Sequence, residues 1–256
     1  MKMISGISVL FCSLFFSFCS NSEDAVVQNS PMTTAPETTV PPNETPADTL
    51  NPVNPSVTYK YLALGDSYTI GQNVCETCRF PAQLKSKLQS GISGAAIDLK
   101  IIAVTGWTTT NLKSAIASQN PSNDQDLVTL LIGVNNQYQN KPFSLYEQEF
   151  PELVTKSIAL AKGDANNVIV VSIPDYAYTP YGNGNAAISM QIEQYNNFAK
   201  NYCIENHIAF VNITDITREG LDQPSLVASD GLHPSESAYA RFVERLFPVA
   251  KQMLMP

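Results

Sequence analysis

Three short motifs carry residue types that acyl transfer needs, and they are spread along most of the chain. Residues 65–67 read Gly-Asp-Ser, residues 133–136 read Gly-Val-Asn-Asn and residues 230–233 read Asp-Gly-Leu-His. A serine hydroxyl becomes a nucleophile when a neighbouring base removes its proton, and histidine is the commonest such base near neutral pH. The motifs therefore predict nucleophilic catalysis by Ser67, provided that the fold brings the first and the last motif together.

Only two histidines are present, and their places in the chain differ. His207 lies just before a predicted strand, on the side away from the motifs, whereas His233 lies within the last motif. Asp230 is close enough in sequence to accept a hydrogen bond from the far ring nitrogen of His233 and so to fix the tautomer of the imidazole. We therefore predict Ser67 as nucleophile, His233 as base and Asp230 as the orienting carboxylate.

The transition state of acyl transfer develops a negative oxygen, which hydrogen-bond donors must stabilise. The donors that the sequence offers are the backbone N–H groups of Ser67 and Gly106 and the side-chain amide of Asn135. Each such donor typically lowers the barrier by about 3 kcal/mol. Glycine at position 106 also permits close approach of the substrate to the backbone. These three groups form the predicted oxyanion hole.

Strands alternate with helices from residue 58 onward, and this alternation positions the motifs. Apolar runs predict strands at 59–64, 99–104, 127–132, 167–173 and 208–213. Helical spacing predicts helices at 80–88, 144–161, 188–202 and 236–253. The pattern is typical of a three-layer α/β/α sandwich with a mostly parallel five-stranded sheet. Ligands bind beyond the carboxyl ends of the strands in such sheets, and residues 65–67, Gly106 and residues 133–136 follow three predicted strands.

In these motifs the chain resembles the SGNH hydrolases, also called the GDSL esterase/lipase family, and the resemblance extends from about residue 58 to 254. The family's serine block matches residues 65–67, its lone glycine matches Gly106, and its Asp-x-x-His block matches residues 230–233. Its third block usually ends in aspartate where this chain has Asn136, so we expect different hydrogen bonding in that loop. The resemblance implies a flavodoxin-like fold and a serine hydrolase of carboxylic esters that uses no cofactor.

Aromatic and polar residues after several strands are candidates for substrate contacts. They are Trp107, Asn136, Tyr138 and Tyr176. Tyrosine-rich loops stack on sugars or line acyl pockets, so small acyl esters, O-acetylated sugars and lysolipids all remain open as substrates. Two other functions use the same features: an O-acyltransferase acting on a sugar or lipid hydroxyl, and a surface-tethered binding domain without turnover.

Composition argues against several other classes of protein. Fifteen Lys and Arg against 23 Asp and Glu give a net charge of -8, which disfavours nucleic-acid binding. No G-x-S-x-G motif is present, which argues against the α/β-hydrolases. Neither an H-E-x-x-H motif nor a P-loop occurs, so metal-dependent and nucleotide-dependent chemistry lack support. The expected partner is a small-molecule ester, and the oligomeric state is not predicted.

The cysteines predict a small disulfide loop. Cys75 and Cys78 lie shortly after Ser67, and a C-x-x-C motif can mark a thioredoxin-like redox site. This one does not directly follow a strand, and in an exported protein a disulfide between the two is favoured. We expect that bond to stiffen the rim of the site. Cys203 falls on a predicted helix and is expected to be a buried free thiol.

The N-terminal region predicts export. Residues 1–19 have a positive start and an apolar segment of secretory-signal length. Cleavage near residues 20–22 and lipid modification of Cys19 both remain open. Residues 20–57 contain seven of the 17 prolines, which predicts a disordered linker. We therefore expect a hydrolase domain at 58–256 that is periplasmic, anchored to the outer membrane through an N-terminal lipid, or secreted.

Overall fold

The computed structural model describes residues 56–255. The predicted signal peptide, the candidate lipid site Cys19 and nearly all of the predicted linker lie outside the described residues. Within residues 56–255, no helix is both long enough and apolar enough to span a bilayer.

Strands and helices alternate along the described chain. The strands are β1 (Val57–Gly65), β2 (Ala95–Ala103), β3 (Leu127–Leu131), β4 (Val168–Val171) and β5 (Ala209–Val211). The helices are α1 (Ser67–Ile70), α2 (Phe80–Gly91), α3 (Thr109–Gln119), α4 (Val134–Tyr138), α5 (Phe143–Leu160), α6 (Ala186–Glu205), α7 (Thr214–Thr217) and α8 (Glu236–Leu254). Short 3-10 turns lie at Ala165–Asn167, Tyr176–Tyr178 and Pro224–Leu226.

The strands form one sheet in the order β2-β1-β3-β4-β5, and every pair is parallel. All residues of the central strands β3 and β4 are buried, as expected when helices cover both faces of a parallel sheet. Helix α2 packs against α8, whereas α5 packs against α3 and α6, so the helices form two groups. The predicted α/β fold with a five-stranded parallel sheet is confirmed.

The register of the sheet places three strand ends side by side. Gly65 at the end of β1 pairs with Ala103 of β2 and with Leu131 of β3. The segments that follow these strands, beginning at residues 66, 104 and 132, therefore start at the same edge of the sheet. This edge is where ligands bind in open parallel sheets.

Helix α3 was not predicted from the sequence. Its polar sequence, Thr-Thr-Asn-Leu-Lys-Ser-Ala-Ile-Ala-Ser-Gln, has weak helical periodicity. Its start is fixed by a capping box, in which Thr108 and Asn111 bond each other's backbone N–H groups. Leu112 and Ile116, four residues apart, provide the buried contact with the rest of the domain.

Candidate active site

A sharp turn from β1 into α1 presents Ser67 at the carboxyl edge of the sheet. A Cβ atom at Gly65 would overlap Thr69 Oγ1 and would come within 2.5 Å of the Leu131 carbonyl oxygen, so only glycine fits there. Asp66 caps α1, since its Oδ1 accepts a hydrogen bond from the Tyr68 N–H at 3.0 Å. Because Asp66 provides the cap, the Ser67 hydroxyl is not used for it.

Asp230 and His233 form a close pair in the loop before α8. His233 Nδ1 lies 2.7 Å from Asp230 Oδ2. The other carboxylate oxygen, Oδ1, accepts the backbone N–H groups of Leu232 and His233, each at 3.0 Å. Burial acts to raise the pKa of Asp230, but the hydrogen bonds from the His233 imidazole and from the two N–H groups outweigh it and lower the pKa. The carboxylate is therefore held ionised and in one orientation.

Packing brings the imidazole of His233 to the residue next to Ser67. The rings of Tyr68 and His233 are in contact, with centroids 5.2 Å apart. Both rings line one small cavity together with Tyr176 and Leu232. Within residues 56–255, the Ser67 hydroxyl makes no hydrogen bond, to His233 or to another group. In enzymes without substrate this contact is often long and shortens when substrate binds.

The oxyanion-hole candidates meet at the same edge. Asn135 lies in the first turn of α4 and donates from Nδ2 to the Trp107 carbonyl oxygen at 3.1 Å, while Gln139 donates to the Gly106 carbonyl oxygen at 2.8 Å. Helix α4 thus holds the turn that follows β2. Among the described residues, the backbone N–H groups of Ser67 and Gly106 have no acceptor. Nothing lies within 4 Å of a Cβ atom placed on Gly106, so the space beside its Cα is open.

Comparison with known families decides the class of the protein. The model of the GDSL-like lipase/acylhydrolase family matches residues 63–241, which include all the motifs described above. The chain belongs to this family. It is accordingly a carboxylic ester hydrolase, as the sequence motifs predicted.

Solved structures share the fold of this GDSL family member at low sequence identity. Acetylxylan esterase Axe2 from Geobacillus stearothermophilus is 20% identical with a TM-score of 0.58, covering 77% of this chain and 95% of its own. TesA is 18% identical with a TM-score of 0.58, covering 76% and 99%. Esterase EstA from Pseudoalteromonas sp., inhibited by monoethylphosphonate, is 18% identical with a TM-score of 0.54, covering 77% and 99%. No curated protein matches the sequence.

Asn136, which replaces the usual GDSL-family aspartate, is fully buried. Its Oδ1 accepts the Thr109 N–H at 2.9 Å, and its Nδ2 donates to Thr109 Oγ1 at 2.7 Å. Thr109 Oγ1 in turn donates to Glu149 of α5 at 2.5 Å. The predicted substrate contact of Asn136 is therefore wrong, because its amide is buried and bonded to Thr109. The residue fixes the start of α3 against α4 and α5.

The other substrate candidates differ in exposure. Tyr176 is only 5% exposed, and its hydroxyl donates to Gln137 Oε1 at 2.7 Å, so it supports the site from beneath. Trp107 is half-buried and packs against the core. Tyr138 is 47% exposed at the end of α4. Tyr181, in the same tyrosine-rich loop as Tyr176, is 54% exposed and shares a hydrogen bond of 2.7 Å with Tyr138.

The burial of Asp66 and its effect on the pKa of the carboxyl group were not predicted from the sequence. Its carboxyl group is fully buried, and burial raises its pKa to about 7, although the Tyr68 N–H and the nearby Asn135 amide act in the opposite direction. Asn135 lies near Asp66 without hydrogen-bond geometry, and Oδ2 of Asp66 has no partner among residues 56–255. The Asp66 carboxyl group, which caps α1, therefore has a pKa near neutral pH.

The remaining sequence candidates lie around or away from the site. Cys75 and Cys78 form a disulfide in the loop between α1 and α2. Cys203 of α6 is a buried free thiol, as predicted, and burial raises its pKa to about 12. His207 precedes β5 and lines a groove with Asp164 and Asn167, at the amino edge of the sheet. It is therefore remote from the motif residues.

Proposed function

We propose that this protein hydrolyses carboxylic esters through an acyl-enzyme on Ser67. His233 Nε2 removes the proton from Ser67 Oγ, which attacks the ester carbonyl carbon. The protonated imidazole then gives that proton to the departing alcohol. Water, deprotonated by His233, attacks the acyl-enzyme and releases the acid, which restores the Ser67 hydroxyl.

Asp230 and the oxyanion donors have separate roles in this mechanism. Asp230 keeps the proton on Nδ1 of His233, which leaves Nε2 as the free base, and stabilises the imidazolium as it forms. The N–H groups of Ser67 and Gly106 and the Asn135 amide stabilise the oxyanion. Asn135 already donates one amide hydrogen to Trp107, which orients the amide and leaves its second hydrogen for a ligand.

One observation carries the proposal. The Asp230 carboxylate and the His233 imidazole, with 2.7 Å between Oδ2 and Nδ1, pack against Tyr68 at the edge of the sheet where Ser67 begins α1. In this arrangement Oδ1 of Asp230 is occupied by two backbone N–H groups, so the carboxylate cannot rotate away from the imidazole. An imidazole held in place by a carboxylate, beside a serine whose hydroxyl does not cap its helix, supports general-base activation of that serine.

The test uses short-chain p-nitrophenyl esters and a fluorophosphonate probe on the full chain. We expect turnover and stoichiometric labelling, both abolished in Ser67→Ala. Ser90→Ala, which removes an exposed hydroxyl from α2, is the matched control and should retain both. Folded protein that neither turns over esters nor reacts with the probe would refute the proposal. Product analysis with an added sugar or lipid alcohol separates hydrolysis from transfer to that alcohol.

We also propose that the chain is exported and held at a membrane by a lipid on Cys19. The proposal rests on the apolar segment before Cys19 and on the proline-rich linker after it. Membrane partitioning of the full-length protein tests it, with Cys19→Ser as the variant. Loss of partitioning in Cys19→Ser supports lipid anchoring, and unchanged partitioning refutes it.

A further inference from the structure

Three tyrosines form a cluster at the carboxyl edge of the sheet, and two of them face solvent. Tyr138 and Tyr181 are 47% and 54% exposed, and their ring centroids lie 6.1 Å apart. Buried Tyr176 supports both rings from below, with centroid distances of 6.0 Å to Tyr138 and 6.3 Å to Tyr181. We call the exposed pair Tyr138 and Tyr181 the tyrosine platform.

The platform is held rigidly by hydrogen bonds. The hydroxyl groups of Tyr138 and Tyr181 lie 2.7 Å apart, which ties α4 to the loop after β4. Gly182 lies directly against the Tyr176 carbonyl oxygen, where a Cβ atom would overlap that oxygen. The Gly182 N–H donates to Thr179 Oγ1 at 3.2 Å. Because a hydrogen bond already joins the two hydroxyls, a ligand that binds both rings loses less side-chain entropy than one that must order two unconnected side chains.

Both members of the platform are connected to the proposed catalytic groups. Tyr138 lies one helical turn after the oxyanion candidate Asn135 on α4. The Tyr181 N–H donates to the Gly231 carbonyl oxygen at 2.9 Å, and Gly231 lies between Asp230 and His233 in the chain. The imidazole gives its proton to the departing alcohol, so a surface tied to the His233 loop is the candidate site for the ester's alcohol portion.

The chemistry of the surface favours a sugar ring over an alkyl chain. A pyranose presents apolar C–H groups on its faces and hydroxyls at its edges, which matches exposed aromatic faces surrounded by polar groups. Exposed polar side chains lie next to the platform in sequence, namely Gln139, Asn140 and Asn183. An alkyl chain gains free energy only when its surface leaves water, and these two rings lie open on the surface of the domain.

We propose that the tyrosine platform is a subsite for the sugar ring of a carbohydrate ester, which binds the alcohol portion while Ser67 attacks the acyl group. The proposal rests on the proposed function, because it assigns the leaving side of that same site. Tyr181 and Tyr138 are then specificity determinants that act through contact with the sugar.

The test compares two acetate esters that differ only in the alcohol. A methyl xylopyranoside with a single O-acetyl group carries the ring, and ethyl acetate does not, and both are followed by acid release. We expect Tyr181→Ala to lower the ratio of kcat/KM for the sugar acetate to that for ethyl acetate by about tenfold, mainly through KM, which corresponds to about 1.4 kcal/mol. Tyr181→Phe keeps the ring and should retain most of the ratio. Ile204→Ala, an exposed change at the far end of α6, should leave the ratio unchanged.

The outcomes separate this proposal from the one on which it rests. Hydrolysis of both acetates with a ratio that Tyr181→Ala does not change overturns the platform and leaves the esterase mechanism standing. A series of longer alkyl acetates extends the comparison. If activity rises with alkyl length and Tyr181→Ala removes that rise, the surface binds lipids and the sugar subsite is overturned. Absence of ester hydrolysis and of fluorophosphonate labelling in folded protein refutes the esterase mechanism itself.

Discussion

Replacement of Asp230 by asparagine tests how the structure controls the His233 tautomer. Asp230 Oδ1 accepts two backbone N–H groups, and Oδ2 faces His233 Nδ1 at 2.7 Å. In Asp230→Asn the amide oxygen keeps the position that accepts the N–H groups, because the NH2 group cannot accept them. The NH2 group must then face Nδ1 of His233.

This inverted contact predicts a large loss of activity without a loss of fold. An amide donor at Nδ1 requires the proton to sit on Nε2, and an imidazole in that tautomer cannot accept a proton from Ser67. Loss of the correct tautomer in a Ser-His-Asp site lowers kcat by roughly 10^4. The loop keeps both backbone hydrogen bonds, so the melting temperature should change little.

The assay is steady-state hydrolysis of p-nitrophenyl acetate by Asp230→Asn together with thermal unfolding of the same preparation. Asp164→Asn is the matched control, because Asp164 Oδ1 also accepts a backbone N–H two residues later, but at the opposite edge of the sheet. We expect full activity in Asp164→Asn. A folded Asp230→Asn enzyme that retains more than about a tenth of wild-type kcat would refute the tautomer argument, since the expected loss is far larger.

Three further predictions follow from the geometry. Asn135→Ala should lower kcat by about 10^2 to 10^3 with little change in KM, because it removes one oxyanion donor; an unchanged kcat removes Asn135 from the oxyanion hole. Burial raises the pKa of Asp66 to about 7, above its value in the unfolded chain, so folding favours the protonated acid. The free energy of unfolding should therefore fall by about 1–3 kcal/mol between pH 5 and pH 8, as the folded protein loses this proton. Urea unfolding measures this fall, which should be absent in Asp66→Asn, and an equal fall in both proteins contradicts the assignment. Gly182→Ala should cost about 1–3 kcal/mol of stability and displace Tyr181, and a crystal structure with Tyr181 unmoved would disprove that coupling.

The sheet and the motif positions are predictable from local sequence. Continuous apolar runs such as residues 127–132 mark strands that are buried on both faces, and parallel strands place the following residues at one edge. The strand ends shifted by a few residues between prediction and structure, since the last ladder bonds depend on neighbouring strands. The proximity of Asp230 to His233 follows from a spacing of three residues, so it too is readable from sequence.

Features that depend on long-range contacts were not predictable. The hydrogen bonds of Asn136 to Thr109 join segments 27 residues apart, so the burial of that amide is invisible in the motif. Tyr181 is positioned by the hydrogen bond from its N–H to the carbonyl oxygen of Gly231, 50 residues later. The high pKa of Asp66 arises from complete burial, which depends on how the domain packs around the start of α1. Each of these is set by tertiary contacts.

The central claim is that Ser67 Oγ becomes covalently bonded to the acyl group. Peptide mapping by mass spectrometry after reaction with a fluorophosphonate measures this directly. The mechanism predicts one adduct per chain, located on the peptide that contains Ser67, and slower adduct formation in His233→Ala. An adduct on another residue, or none on folded and ester-hydrolysing protein, would contradict it.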